Sequence, residues 1–212
     1  MTVEEAIHVR RSIRRFDPDA PVAEADLMKI LEAGRQAPSG INMQTWVFAV
    51  VRDEALKARV AEEAMLLEQN TTMAKQAPVL LVCCAKLDAQ LEIRDRLQEL
   101  ADAGLADASM IDQLADRYAS SFDSMTDGER REYMVLNLAI AVTQMVLQAT
   151  ELGYGTCWLK GFSETRVRDI LNVPENLHVC TVIPVGRPAE GPAPRARKPL
   201  DEIVVWDAFP AN

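Results

Sequence analysis

Histidine is scarce in this chain, with two in 212 residues. His8 and His178 stand far apart in sequence. No nucleophile elbow of the form GxSxG is present, no HExxH, no Walker A loop and no GxGxxG. A serine hydrolase, a zinc peptidase, a P-loop nucleotidase and a Rossmann dehydrogenase therefore each lack the segment that carries their chemistry. The Gly153-Tyr154-Gly155 triplet has no third glycine and follows a helical pattern rather than a strand. Cysteine is limited to Cys83, Cys84, Cys157 and Cys180, with no CxxC spacing. Metal binding and dithiol exchange thus lose their usual signature, and buried, reduced thiols of a cytosolic protein are the reading. Aromatic residues make up 5% of the chain, so Ala, Val, Leu, Ile and Met must fill the core. Positive charge is also short. The net charge of −9 argues against a nucleic-acid partner and against a basic membrane anchor. The acidic start, Met1-Thr2-Val3-Glu4-Glu5, has no apolar run behind it, which speaks against a secretory signal and for the cytoplasm.

What is present suits one α+β domain over residues 1–212, being 49% hydrophobic and 26% charged. Helical spacing marks Val3 to Arg10 and Glu24 to Gln36, the latter ended by Pro38. Trp46 to Val51 reads as a strand. Asp53 can cap a helix over Glu54 to Leu67. The unbroken apolar run Pro78 to Ala85 reads as a strand covered on both faces. Asp88 to Arg131 is acidic and interrupted by Gly104 and by Thr126-Asp127-Gly128. It predicts two or three short helices, either a lid or a plain solvated hairpin. Glu129 to Leu152 is the longest helix, about 36 Å at roughly 1.5 Å per residue, and Gly153 ends it. Its stretch Tyr133 to Leu152 carries Asn137, Thr143, Gln144, Gln148 and Glu151, too polar for lipid. Yet apolar residues occupy most of its circumference, which calls for cover by a second subunit. Gly155 to Leu159 and Val179 to Val185 read as strands, with a small helix over Glu164 to Leu171 between them. A proline-rich basic arm follows Gly186 and ends in a strand candidate, Ile203 to Trp206.

Three segments could carry chemistry. Arg10, Arg11, Arg14 and Arg15 crowd six residues of an acidic chain around Ser12. One or two cations at a helix C-terminus complement its dipole, for about 0.3–1 kcal/mol each. Four create a field for an anion, and guanidinium forks suit phosphate. Arg195, Arg197 and Lys198 form a second cluster in the arm. Between helix and strand, Pro38 to Trp46 offers turn amides at Ser39 and Gly40 and side-chain amides at Asn42 and Gln44. That donor and acceptor mixture matches a pyrimidine-like ring edge, although an ordinary polar loop has the same composition.

In order, the segments VRRSIRRF, APSGINMQTW, ELGYGTCWLKGF and PVGRPAE with PRARKPLDEIV resemble the nitroreductase-like family of FMN-dependent NAD(P)H oxidoreductases. The similarity spans nearly the whole chain, least over Asp88 to Arg131. It implies a central mixed, mostly antiparallel sheet flanked by helices, and a homodimer with FMN at the subunit interface. The C-terminal strand would be exchanged with the partner. It further implies that Arg10, Arg11, Ser12 and Arg14 form the first flavin segment, Arg10 and Ser12 toward phosphate and ribityl, Arg14 toward the N1 and O2 edge. Arg195 and Arg197 would grip the phosphate. Pro38, Ser39, Asn42 and Gln44 would come from the second subunit. Trp158, Leu159, Lys160 and Gly161 would lie beside the ring, one backbone amide meeting flavin N5.

The implied reaction is ping-pong, hydride passing from NADH or NADPH through flavin N5 to a small flat acceptor such as a nitroaromatic, quinone or flavin. It requires no protein acid or base, so no catalytic residue is nominated. Two departures stand out: Thr45 where the family often has proline, and Lys160 where glycine or an acid is common. Lys160 could shift the flavin potential or favour anionic acceptors. A specialised dehalogenase, dehydrogenase or flavin-fragmenting member, and a flavin store or sensor without turnover, remain open at this point.

Overall fold

The computed structural model describes residues 1–209. Four strands make one sheet: β1 (Trp46–Val51), β2 (Val79–Lys86), β3 (Gly155–Thr156) and β4 (Leu177–Gly186). Their order is β1-β2-β4-β3, and every ladder is antiparallel. Among the described residues, the one parallel pairing is the isolated bridge Ser12–Thr156. The unbroken apolar run read at residues 78–85 becomes the central strand β2, buried along almost its whole length. Alternate residues of β2 face two separate cores. Val79, Leu81, Cys83 and Ala85 join Ile30, Leu138, Met145 and Ile183 on one side. Leu80, Val82 and Cys84 join Val60, Ala74, Leu159 and Val167 on the other. Helices therefore cover both faces, as the sequence pattern requires.

On the first face lie α2 (Glu24–Arg35) and the long α7 (Asp127–Glu151), with α5 (Ile93–Asp102) and α6 (Ile111–Asp123) beyond them. Thr126 caps α7: its side chain accepts the Glu129 amide, and Glu129 bonds back to the Thr126 amide. The Thr-Asp-Gly interruption is thus a capping box, and α7 begins two residues before the expected start. Gly153, at φ +78°, turns the chain out at its end. By length and composition α7 could cross a membrane, but Met134, Leu138, Val142, Met145 and Val146 are buried in the core. Leu136 and Ile140 remain exposed on its other side.

On the second face the structure corrects one expectation. The helix read from Glu54 to Leu67 stops early. α3 spans Glu54–Arg59, a π-helical turn follows over Val60–Ala64, and the backbone then becomes extended at Met65. A further helix, α4 (Glu68–Gln76), had no counterpart in the pattern. The cause is tertiary. Met65 bridges to Phe162, and the Leu66 amide donates to the Gly161 carbonyl at 3.0 Å. These contacts pull the chain off its helical path.

The tail expectation is also altered within one chain. Leu200–Glu202 is a 3-10 turn, and Ile203 to Trp206 forms no ladder. Ile203, Val205, Trp206 and Phe209 are all exposed, Trp206 at 83%.

All four cysteines are free and buried. Burial raises each thiol, Cys84 to about 12 and Cys83 well above its ordinary value. Since the thiolate is the reactive form, native protein at pH 8 is expected to react slowly with a thiol reagent and denatured protein at all four sites. Rapid labelling of Cys83 or Cys84 in folded protein would contradict this packing.

Candidate active site

The arginine segment leaves α1 (Val3–Val9) and runs extended along the β3 edge of the sheet. The Ile13 amide donates to the Thr156 carbonyl at 2.9 Å. On its other side residues 187–190 dock against it. The Asp17 amide meets the Arg187 carbonyl, and the Ala189 amide meets the Arg15 carbonyl, both at 2.9 Å. The Glu190 carboxylate accepts the Arg14 amide at 2.6 Å. Residues 12–17 are thus held between β3 and the root of the C-terminal arm by backbone bonds. Ile13 and Phe16 bury their side chains in the second core, which leaves Ser12, Arg14 and Arg15 for other work. An open cleft of about 340 Å³ lies along this seam, lined by Arg11, Ile13, Tyr154, Gly155, Pro188 and Glu190.

The four arginines do not act alike. Arg11 folds back, donating to the carbonyls of His8 at 2.6 Å and Arg10 at 2.8 Å, which is the helix-terminus role open to any cation there. Arg14 donates to the Ser12 carbonyl at 3.3 Å. Arg10 and Arg14 both act on Cys157. Burial raises that thiol, while the Arg14 guanidinium, a hydrogen bond with Ser12 and the Arg10 guanidinium pull the other way. Ser12 also bridges Thr156, so the arginine segment passes the start of the 157–161 segment from more than 140 positions away in sequence.

That segment is fastened along its length. The Leu159 amide donates to the Val182 carbonyl at 3.0 Å, and the Thr181 hydroxyl to the Leu159 carbonyl at 2.9 Å. Lys160 Nζ donates to the Cys180 carbonyl at 2.7 Å. Cys180 sits where the β2–β4 register slips between Cys83 and Cys84, so the ammonium satisfies a bulged strand. Gly161 lends its carbonyl to the Leu66 amide and to Asn70 Nδ2, both at 3.0 Å. Among the described residues, the backbone amides of Lys160 and Gly161 have no partner. Trp158 is 41% exposed beside them.

Two expected groups stand elsewhere. In the 38–44 loop, Ile41, Asn42 and Gln44 all have positive φ, between 47° and 54°. That is costly for non-glycine residues and for β-branched isoleucine above all. The loop is held by its own bonds, Gln44 amide to Ser39 Oγ at 2.9 Å, and by α7. Buried Asn137 accepts the Gly40 amide at 3.0 Å and donates to the Tyr133 carbonyl at 2.8 Å. Pro38, Ser39, Asn42 and Gln44 make no hydrogen bond to residues 10–14 or 157–161 among the described residues. Arg195 and Arg197 are exposed, the Arg197 guanidinium turned onto the Arg195 and Ala196 carbonyls. Asn137→Ala leaves the Gly40 amide and the Tyr133 carbonyl with one partner fewer. It is expected to destabilise the fold by about 1–3 kcal/mol, and chemical denaturation would measure it.

Neither Asn70 nor Glu190 is among the site residues predicted from the sequence. An asparagine inside a helix and a glutamate in a proline-rich arm carry no local signal of their partners.

A two-faced α+β sheet with a cationic seam at one edge defines the class of protein. The family model of the nitroreductase family matches residues 7–187. A Thermus thermophilus protein named NADH dehydrogenase is 34% identical over 197 residues, covering 93% of this chain and 92% of its own. Protein DrgA of Synechocystis sp. is 26% identical, covering 93% and 89%. Among solved structures, a chain from Exiguobacterium sibiricum crystallised in complex with FMN superposes with a TM-score of 0.88 at 20% identity, over 98% of both chains. CLA-ER, an enone reductase of gut-bacterial fatty acid saturation, gives a TM-score of 0.83 at 20% identity, over 97% of this chain and 98% of its own. The chain belongs to the nitroreductase family.

Proposed function

We propose that this protein is a cytoplasmic, homodimeric, FMN-dependent NAD(P)H oxidoreductase acting on a small flat acceptor such as a nitroaromatic, quinone or flavin. The observation that carries the reading is the pair of unpartnered amides at Lys160 and Gly161, on a rigid segment that begins at the Arg10–Ser12–Arg14 cluster. A dianionic phosphate and an acceptor-rich ring edge need these two kinds of group at the two ends of one site. FMN, when bound, relays hydride from NAD(P)H to the acceptor.

The residues divide the work. Arg10, Ser12 and Arg14 hold the phosphate and ribityl end, with Arg11 fixing the end of α1 behind them. Arg195 and Arg197 complete the grip. Glu190 pins the arm to the Arg14 amide, and five extended residues reach at most about 18 Å, so Arg195 stays within range of the cluster. Trp158, Leu159, Lys160 and Gly161 form the wall beside the ring, their amides toward its N5 side. The partner's Pro38, Ser39, Asn42 and Gln44 close the site from across the interface. The strained 38–44 loop fits that role, because backbone strain persists where function requires a fixed shape.

The arm serves the same dimer. β1 is an edge strand with Val47 and Val50 exposed, and Ile203 to Trp206 supplies an apolar extended segment to pair with such an edge on the partner. Residues 1–212 then act as one domain, with residues 88–131 a helical excursion shaping the acceptor side.

Donor and acceptor use one site in turn, so initial rates measured at several donor concentrations should give parallel double-reciprocal lines. Intersecting lines, with both molecules bound together, would refute the ping-pong order. Bound FMN that NADH and NADPH both fail to bleach without oxygen would refute the donor assignment.

A further inference from the structure

Glycine at 161 leaves its neighbours room, and that creates a difficulty which its surroundings resolve. A β-carbon there would come within 2.8 Å of Asn70 Nδ2 and of Leu67 Cδ1. Glycine fits, but it brings the widest backbone freedom of any residue. An amide meant to meet a ligand in one direction cannot swing. Both peptide planes flanking Gly161 are in fact tied down. The Phe162 amide donates to the Lys160 carbonyl at 3.0 Å, closing a three-residue turn centred on Gly161. That carbonyl shares a planar trans peptide with the Gly161 N–H, which must therefore point the opposite way. The next plane is tied through the Gly161 carbonyl by two donors, the Leu66 amide and Asn70 Nδ2.

Both donors are delivered by the break after α3. The π-helical turn at Val60–Ala64 and the extended Met65 carry Leu66 onto Gly161 and restart the helix at Glu68. Asn70 then falls in the first turn of α4, 7% exposed. Asparagine is a poor helix former, and its side chain here serves no cap of α4. Its amide reaches across 91 positions of sequence instead. Irregular helical turns of this kind often mark functional sites.

We infer that Asn70 is a positioning residue: with the Leu66 amide it locks the Gly161 carbonyl and so fixes the Gly161 N–H as a preorganised donor toward the cofactor. The inference rests on the flavin reading proposed above. A ring nitrogen that accepts a hydrogen bond when oxidised and carries hydrogen when reduced gains from a fixed N–H only in the oxidised state. Loosening Gly161 should therefore weaken oxidised FMN selectively.

Asn70→Ala removes the donor, and Asn70→Asp removes it at nearly constant volume, which separates the lost bond from a packing defect. Two measurements decide. By NMR relaxation on protein without FMN, the Gly161 amide order parameter should stand near 0.85 in the wild type and fall below about 0.6 in both variants. By titration, both variants should bind oxidised FMN about tenfold more weakly and reduced FMN unchanged. The potential of bound FMN would then rise by about 30 mV, a tenfold ratio for a two-electron couple. Equal loss of both redox forms, or an unchanged order parameter, would overturn the role of Asn70. Failure of the wild type to take up FMN would overturn the flavin reading instead, and the order parameters would still decide whether Asn70 fixes this amide.

Discussion

Replacing Arg10 and Arg14 together by alanine is expected to weaken FMN binding by about 100-fold or more. A hydrogen bond to a charged group contributes about 1.5–3 kcal/mol, and two of them account for at least about 3 kcal/mol, with roughly 1.4 kcal/mol per factor of ten. The fold should survive, because the segment is held by main-chain bonds of Ile13, Arg14, Arg15 and Asp17 rather than by guanidinium groups. The control is Arg35→Ala with Arg52→Ala. It removes the same charge from exposed pairs with Glu32 and Glu24, and surface pairs contribute little. Fluorescence titration of FMN against both double variants separates a specific phosphate grip from a general effect of net charge. Equal affinities would mean that the cluster is a solvated helix end.

Ending the chain after Pro192 should have the second large effect: a monomer in place of the proposed dimer, with FMN affinity lowered by tenfold or more. Neither core contains a residue beyond Val185, so the truncated chain should keep its helix content and most of its thermal stability. What it loses is Arg195, Arg197 and a row of exposed apolar side chains, including Leu200, Ile203, Val205 and Trp206. Burying such side chains against a partner contributes about 1.5–3 kcal/mol each. Light scattering reads the mass. A truncated chain that remains dimeric and holds FMN as before would show that the arm is ornament.

The sequence was most informative where one local property decides the outcome. A run such as Val79 to Cys84 is apolar on both faces of a strand and can only be central. Thr126 and Gly153 bracket α7 by cap chemistry that any reader of the chain can find, although Thr126-Asp127-Gly128 first reads as an interruption rather than as a start. The arginine cluster stands out against an acidic background. Legibility ends where a partner lies far along the chain. Val60 to Ala64 is composed of ordinary helix formers, and nothing in it announces a π-helical turn imposed by Phe162 and Gly161. α4, with Asn70, Thr71 and Thr72 in succession, has too weak an apolar stripe to declare itself. The division of labour among the arginines is equally silent. Arg11 serves the carbonyls of His8 and Arg10, and Arg14 that of Ser12, yet the four look alike in the sequence.

The most direct measurement is a titration of the purified, flavin-stripped protein with FMN, followed by its visible absorption spectrum and fluorescence. Saturation at one FMN per chain, lost on substitution of Arg10 and Arg14 and recovered in the Arg35 and Arg52 control, is the predicted result. A protein that takes up no FMN at any concentration tested would contradict the account, because the arginine seam and the free amides of Lys160 and Gly161 would then serve something else.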